Sequence, residues 1–238
     1  MRRYNLAVLG IGETYWTQAE QQRLGIEEVL LYSDHEEENS SHTQRVALML
    51  SKEARSAFIE WEFHGSRIVK VSFKTKKEEI TMNIIQCDAP INDSNDDDKD
   101  QFYDGLQSII VKCPRQNLTI LKVDLNPEVG MGNNSYEDIM RQHGLGESNE
   151  NGKRFANLCA FNKFVISGKI FLHKRIHKAT WVSSNHTTEN QTNYICISKR
   201  FTRLMEDVRT RRRANIATDH SYGNPAKDLR EEEQEDSN

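Results

Sequence analysis

Apolar positions recur along this chain with two different periods. Residues 6–11 (LAVLGI) are apolar on both faces, which predicts a central strand covered on each side. Val46, Leu48 and Leu50 alternate with smaller neighbours and predict a second strand. Val69, Val71 and Phe73 alternate with Lys70, Ser72 and Lys74, the pattern of a half-buried strand. Residues 79–87 (EITMNIIQC) predict another strand, joined to the previous one through the polar turn KTKKEE. The period then changes. Phe102, Leu106, Ile109 and Ile110 fall at i, i+4, i+7 and i+8, one face of a helix. The aspartates before them read as cap and dipole partners of its N-terminus. A calcium loop is the rival reading, but the run lacks the glycine and the closing glutamate.

The stretch LTILKVDLNPEVG at 118–130 buries Leu118, Ile120, Leu121 and Val123, then delivers Asp124 and Asn126. Phe155, Leu158, Cys159 and Phe161 predict a second helix, followed by strands at KFVISG, ATWVS and YICISKRF. Strands outnumber helices and interleave with them, so the fold class is α/β or α+β. Residues 1–222 read as one domain. Residues 223–238 have no apolar alternation and read as an acidic disordered tail.

Charge changes this picture in one respect. The net charge is −4, but residues 231–238 alone carry five acids and no base, and the remainder is +1. Basic clusters stand at 173–178 (HKRIHK) and 209–213 (RTRRR), so the body can meet a polyanion. The four cysteines are far apart, lie in or beside apolar segments and form no Cys-x-x-Cys pair. They read as buried thiols of a reducing compartment, nuclear or cytoplasmic, with no zinc and no disulfide-linked partner. The N-terminal apolar run is short and leads into Glu13 rather than a cleavage site, and no window reaches the ~20 apolar residues of a membrane span.

Several strand-like segments end in polar groups: Glu13, Asp88, and Asp124 with Asn126. Asn193 precedes a strand, and Asp219 and His220 follow the basic run. Each alone fits a turn or cap. Together, oxygen donors and one histidine at strand ends suit metal-assisted attack on a phosphodiester, with Mg2+ or Mn2+ as the cation.

The ordered set LGIGETYW, QCDAPIND, VDLNPEVG, TWVSSNHTTENQTNYI and TDH resembles the endonuclease/exonuclease/phosphatase superfamily. More closely, it resembles the apurinic-endonuclease-like domain of non-LTR retrotransposons of the RTE type. The similarity runs from about Arg3 to His220. It implies a four-layered, DNase-I-like sandwich of two mixed sheets between helices, acting on the DNA backbone. It makes Glu13 and Asp219 metal-side carboxylates and Asp124 the water-activating aspartate. Asn126 becomes a phosphate or water ligand, and His220 the phosphate-contacting histidine. Thr218 stands where serine is usual.

The chain also departs from that pattern. The resemblance implies a first strand with a metal-binding Asn upstream of Met1 and a last strand after Asp219-His220, and this chain has neither. Asp88-Ala89-Pro90 replaces Tyr-Ala-Pro, and Val123 replaces the glycine before Asp124. Asn193 replaces the aspartate that orients the histidine, and an amide cannot stabilise imidazolium; in serine proteases the same change costs ~10⁴ in rate. The expectation is an endonuclease domain with weak or no cleavage. The alternatives are a non-catalytic nucleic-acid-binding or interaction protein, and a phosphatase acting on lipid or inositol phosphates.

Overall fold

The computed structural model describes residues 5–12, 21–24, 28–32, 46–124, 149–167, 181–182, 189–190 and 193–208. Two sheets stack face to face. The smaller is antiparallel, with β1 (Val8–Ile11), β2 (Gln21–Leu24), β3 (Glu28–Tyr32) and β4 (Ala47–Leu50) in the order β1-β4-β3-β2. A short helix, α1 (Lys52–Ala57), follows, capped by the Ser51 hydroxyl, which accepts from the Ala54 N–H. The larger sheet contains β5 (Phe58–Phe63), β6 (Ile68–Lys74), β7 (Thr81–Asp88), β8 (Leu118–Asp124), β9 (Phe164–Ile166) and β12 (Asn193–Ser198). Its order is β5-β6-β7-β8-β12-β9, and it is mixed, because β7 and β8 run parallel. A parallel pair needs a crossover, and α2 (Asp96–Lys112) supplies it. The helix α3 (Glu150–Phe161) lies beside α2, and a small ribbon pairs β10 (Trp181–Val182) with β11 (Glu189–Asn190).

Alternation along the strands sorts side chains into two cores. Val29, Leu31, Leu48 and Leu50 of the small sheet meet Val69, Val71 and Phe73 of the large one. On its other face the large sheet turns Ile85, Leu121, Val123, Tyr194 and Cys196 against Leu106, Ile109, Phe155 and Leu158 of the helices. Burying each such side chain stabilises by roughly 1.5–3 kcal/mol. Strands covered on both faces need long apolar runs, which explains why 118–123 lacks strict alternation. The described residues thus supply three layers: helices, large sheet, small sheet. On the outer face of the small sheet Leu30, Tyr32 and Ala47 are buried, although no helix over that face is among the described residues.

The sequence-predicted elements appear with two corrections. β1 is half-buried and last in its sheet's order rather than central. An apolar run reports contact on both faces, not which strands pair with it. The strand predicted through YICISKRF stops at Ser198 and turns into a 3-10 helix over Lys199–Leu204. β2, β3, β5 and α1 were not foreseen. The aspartate run forms the first turn of α2 behind Asn95, whose side chain accepts from the Asp98 N–H at 2.7 Å. All four cysteines are buried and unbridged. No helix among the described residues is long and apolar enough to cross a membrane.

Candidate functional site

Three polar strand ends meet at one end of the large sheet. Asp88 ends β7, Asp124 ends β8 and Asn193 begins β12. In the ladder Asp88 pairs with Asp124, and Asp124 pairs with Asn193. Neighbouring strands lie about 4.8 Å apart, so two carboxylates and an amide stand in a row. Their positions follow from the apolar runs before them, which bury β7 from Ile85 onward and every second residue of β8. The parallel pairing extends one step further, where the Ala89 N–H donates to the Asp124 carbonyl at 2.9 Å. Asp88 is 5% exposed, whereas Asp124 is half-buried. Arg67 joins from the β5–β6 hairpin: its carbonyl accepts from the Asp88 N–H and its Nη1 donates to the Asp88 carbonyl at 3.4 Å. Burial lowers the Arg67 pKa, and the Asp88 charge works the other way. The start of α3 closes the rim. There the Asn151 amide donates to the Pro90 carbonyl, and the Tyr103 hydroxyl to the Asn151 carbonyl.

The small sheet approaches this end through β1. A Cβ on Gly12 would sit 3.5 Å from the Asp124 Oδ2. One residue pair deeper, Gly10 leaves room for two side-chain ends: a Cβ there would fall 2.1 Å from the Gln86 Oε1 and 2.8 Å from the Lys122 Nζ, and both would have to move. The close approach lets Lys122 donate to the Gly10 carbonyl at 2.7 Å. Lys122 is therefore a cation inside the sandwich, on the same face of β8 as Asp124. Burial pulls its pKa below the ordinary value of 10.5, while Asp124 and Cys87 oppose that shift. Gln86, its register partner, is 1% exposed, and among the described residues both its amide atoms lack a hydrogen-bond partner. Sequence reasoning missed Lys122, Gln86, Arg67 and the two glycines. The available signal was parity: Leu118, Ile120, Lys122 and Asp124 share one face of a strand.

Of the sequence-predicted site residues, Asp124 and Asn193 are register partners across β8 and β12. Asp88, read as a departure from a motif, joins them. Glu13, Asn126, Asp219 and His220 lie outside the described residues, as do Arg209 and Arg211 to Arg213. The donors in view are oxygens, the type that Mg2+ and Mn2+ take. Among the described residues alone, no group of three or more His, Cys, Asp or Glu side chains is gathered to hold a metal.

A mixed sheet and an antiparallel sheet packed face to face, flanked by helices, with acids lining one end of the strands, define a DNase-I-like sandwich, the endonuclease/exonuclease/phosphatase fold. Solved structures share it, among them two nucleases. One is the endonuclease domain of TRAS1, a telomere-specific non-LTR retrotransposon, with a TM-score of 0.56 and 9% identity, covering 87% of this chain and 79% of that one. The other is a 3'-5' exonuclease from Neisseria meningitidis, with a TM-score of 0.51 and 13% identity, covering 76% of this chain and 70% of that one. In sequence, the chain is similar over 92% of its length to Craniofacial development protein 2 of Bos taurus, at 28% identity, and of Tragulus javanicus, at 27%. It spans 36% and 37% of the length of these two relatives. No protein-family model matches the chain.

Proposed function

We propose that this chain is an endonuclease-type domain, derived from a non-LTR retrotransposon, that binds the DNA phosphodiester backbone and cleaves it weakly or not at all. The observation that carries this reading is the row Asp88, Asp124 and Asn193 at one end of the large sheet. Ligands of such sheets collect outside strand ends. In this scheme Asp124 orients and deprotonates the attacking water, Asn126 serves as a phosphate or water ligand, and His220 steadies charge on the phosphoryl oxygens. A magnesium or manganese ion held by Glu13 and Asp219 would polarise the phosphoryl oxygen.

The same row supports weak chemistry. Asn193, register-paired with Asp124, is an amide where an aspartate should orient the histidine. Asp88 adds a second carboxylate where an anionic substrate must approach, and like charges repel strongly in a partly dry site. Val123 is fully buried beneath that rim. These points also favour the second reading, a nucleic-acid-binding protein on the same scaffold without turnover.

Conversion of supercoiled plasmid to its nicked form, with Mg2+ or Mn2+, tests this. The parent chain should nick at or near background, and Asn193→Asp alone should not restore cleavage, because Asp88 and Val123 remain. Robust metal-dependent nicking by the parent, abolished in Asp124→Ala, would contradict the loss of cleavage. Absence of DNA binding would contradict both readings.

A further inference from the structure

A second polar feature lies at the opposite end of the large sheet. A cleft of about 220 Å³ opens between the C-terminal ends of α2 and α3 and the 3-10 helix after β12. Four cations line it, Arg115, Lys163, Lys199 and Arg200, and no carboxylate does. Among the described residues Arg115, Lys163 and Arg200 form no ion pair. At its rim stand two apolar side chains that the fold leaves in water, Phe161 at 78% exposure and Val111 at 67%. Thr119, which also lines the cleft, is five residues before Asp124 on β8. At ~3.3 Å per residue the two ends are roughly 17 Å apart.

Helix C-termini repel anions, each with about half a negative charge. Two of them border the cleft, and the three full positive charges of Arg115, Lys163 and Arg200 outweigh them. The cleft is therefore a site for an anion with a flat apolar part. Its volume is below the ~300–1,000 Å³ of pockets for drug-sized ligands, so it accepts one small unit. An amphipathic acidic helix needs a groove with several anchor positions along it, which this cleft does not offer. A nucleotide of a single strand fits: the base stacks on Phe161 and the phosphate meets the cations.

Lys163 adds a second, independent observation. Its φ is +57°, the left-handed conformation that glycine adopts without cost at the position after a helix cap. Its N–H donates to the Ala160 carbonyl and its carbonyl accepts from the Lys199 N–H. A lysine held at a glycine position in the wall of the cleft is strained backbone at a candidate functional site. We infer that this cleft binds single-stranded nucleic acid, one nucleotide seated between Phe161 and the cations of Arg115, Lys163 and Arg200, independently of metal and of the strand-end site.

The test is fluorescence anisotropy with a labelled oligothymidylate of about eight nucleotides, within the site sizes of single-strand binders, in EDTA. Phe161→Ala should weaken binding about five-fold or more, the loss of one stacked base. Arg115→Ala combined with Lys163→Gly should make the logarithmic salt slope shallower by about 1.4, two phosphate contacts at ~0.7 each. Lys163→Gly alone should weaken binding while leaving the melting temperature unchanged or raised, the reverse of what a structural role gives. The Phe161→Ala loss should keep its size in an Asp124→Asn background, since distant sites add; that result stands even if the strand-end reading fails. Parental affinity and slope in these variants would overturn the inference. So would displacement of the oligonucleotide by a Glu- and Trp-containing peptide of equal charge at a lower concentration than unlabelled oligothymidylate.

Discussion

Two side chains beside the strand-end site, the buried Cys87 and the half-buried Lys122, titrate in opposite directions. Cys87 lies under the Asp88 rim, and burial together with Asp88 and Asp124 holds its thiol well above the ordinary 9.0. The unfolded thiol ionises near that value while the folded one keeps its proton. Stability should therefore fall as pH rises above about 9, by up to ~1.4 kcal/mol per pH unit for one group. Lys122 behaves in the reverse sense. Its folded pKa lies below 10.5, so the unfolded chain holds the proton longer, and its contribution to stability rises with pH up to that value. Urea unfolding between about pH 7 and 10.5 separates the two: Cys87→Ala should flatten the alkaline decline, and Lys122→Met should steepen it. A Lys122→Met slope identical to the parent's would mean that the ammonium is not desolvated between the sheets.

At the scale of elements, the helix α2 positions the site indirectly, because it carries the crossover that makes β7 and β8 parallel and brings Asp88 level with Asp124. Its N-terminus rests on the Asn95 cap, with Asp96, Asp97 and Asp98 in the first turn. Asn95→Ala should cost about 1 kcal/mol in a denaturation experiment, and a cost near zero would show that the three aspartates suffice. This helix was legible in the sequence because its apolar face repeats with a clear period and its start is marked by capping residues. β6, β7 and β8 were legible for a related reason, each being a run of apolar residues ended by polar ones. β2, β3, β5 and α1 were not. Residues 58–63 (FIEWEF) place charges between aromatics on a strand that ends its sheet's order, exposed enough for Glu60 and Glu62 to be tolerated there. α1 has six residues, too few to show a period. Lys122 was missed for another reason. A lysine in a strand reads as solvent-facing, and only the approach of Gly10 from the other sheet reveals it as interior.

Across the whole molecule, the motifs that read as one ordered set belong to segments far apart in sequence, and the fold gathers those it describes. Asp88, Asp124 and Asn193 become neighbours through one parallel and one antiparallel pairing. Charge is uneven at this scale too. Arg209 and Arg211 to Arg213 lie six to ten residues before Asp219 in sequence, and 231–238 carries five acids. If the arginines face DNA, Arg211→Ala with Arg213→Ala should flatten the salt dependence of duplex binding by up to ~2 units and weaken all sequences alike. Deleting 231–238 should strengthen binding. Unchanged affinity and slope in the double variant would remove these arginines from the interface. The most direct test of the central claim, that DNA phosphates dock at the strand ends, is the duplex-DNA affinity of Asp124→Asn against the parent in EDTA. Removing a half-buried negative charge from beneath a phosphate, in a surrounding of effective dielectric near 20, should tighten binding by about 1–2 kcal/mol, roughly five- to thirty-fold. Equal or weaker binding by this variant, with its fold intact, would mean that the row formed by Asp88, Asp124 and Asn193 does not face the DNA backbone.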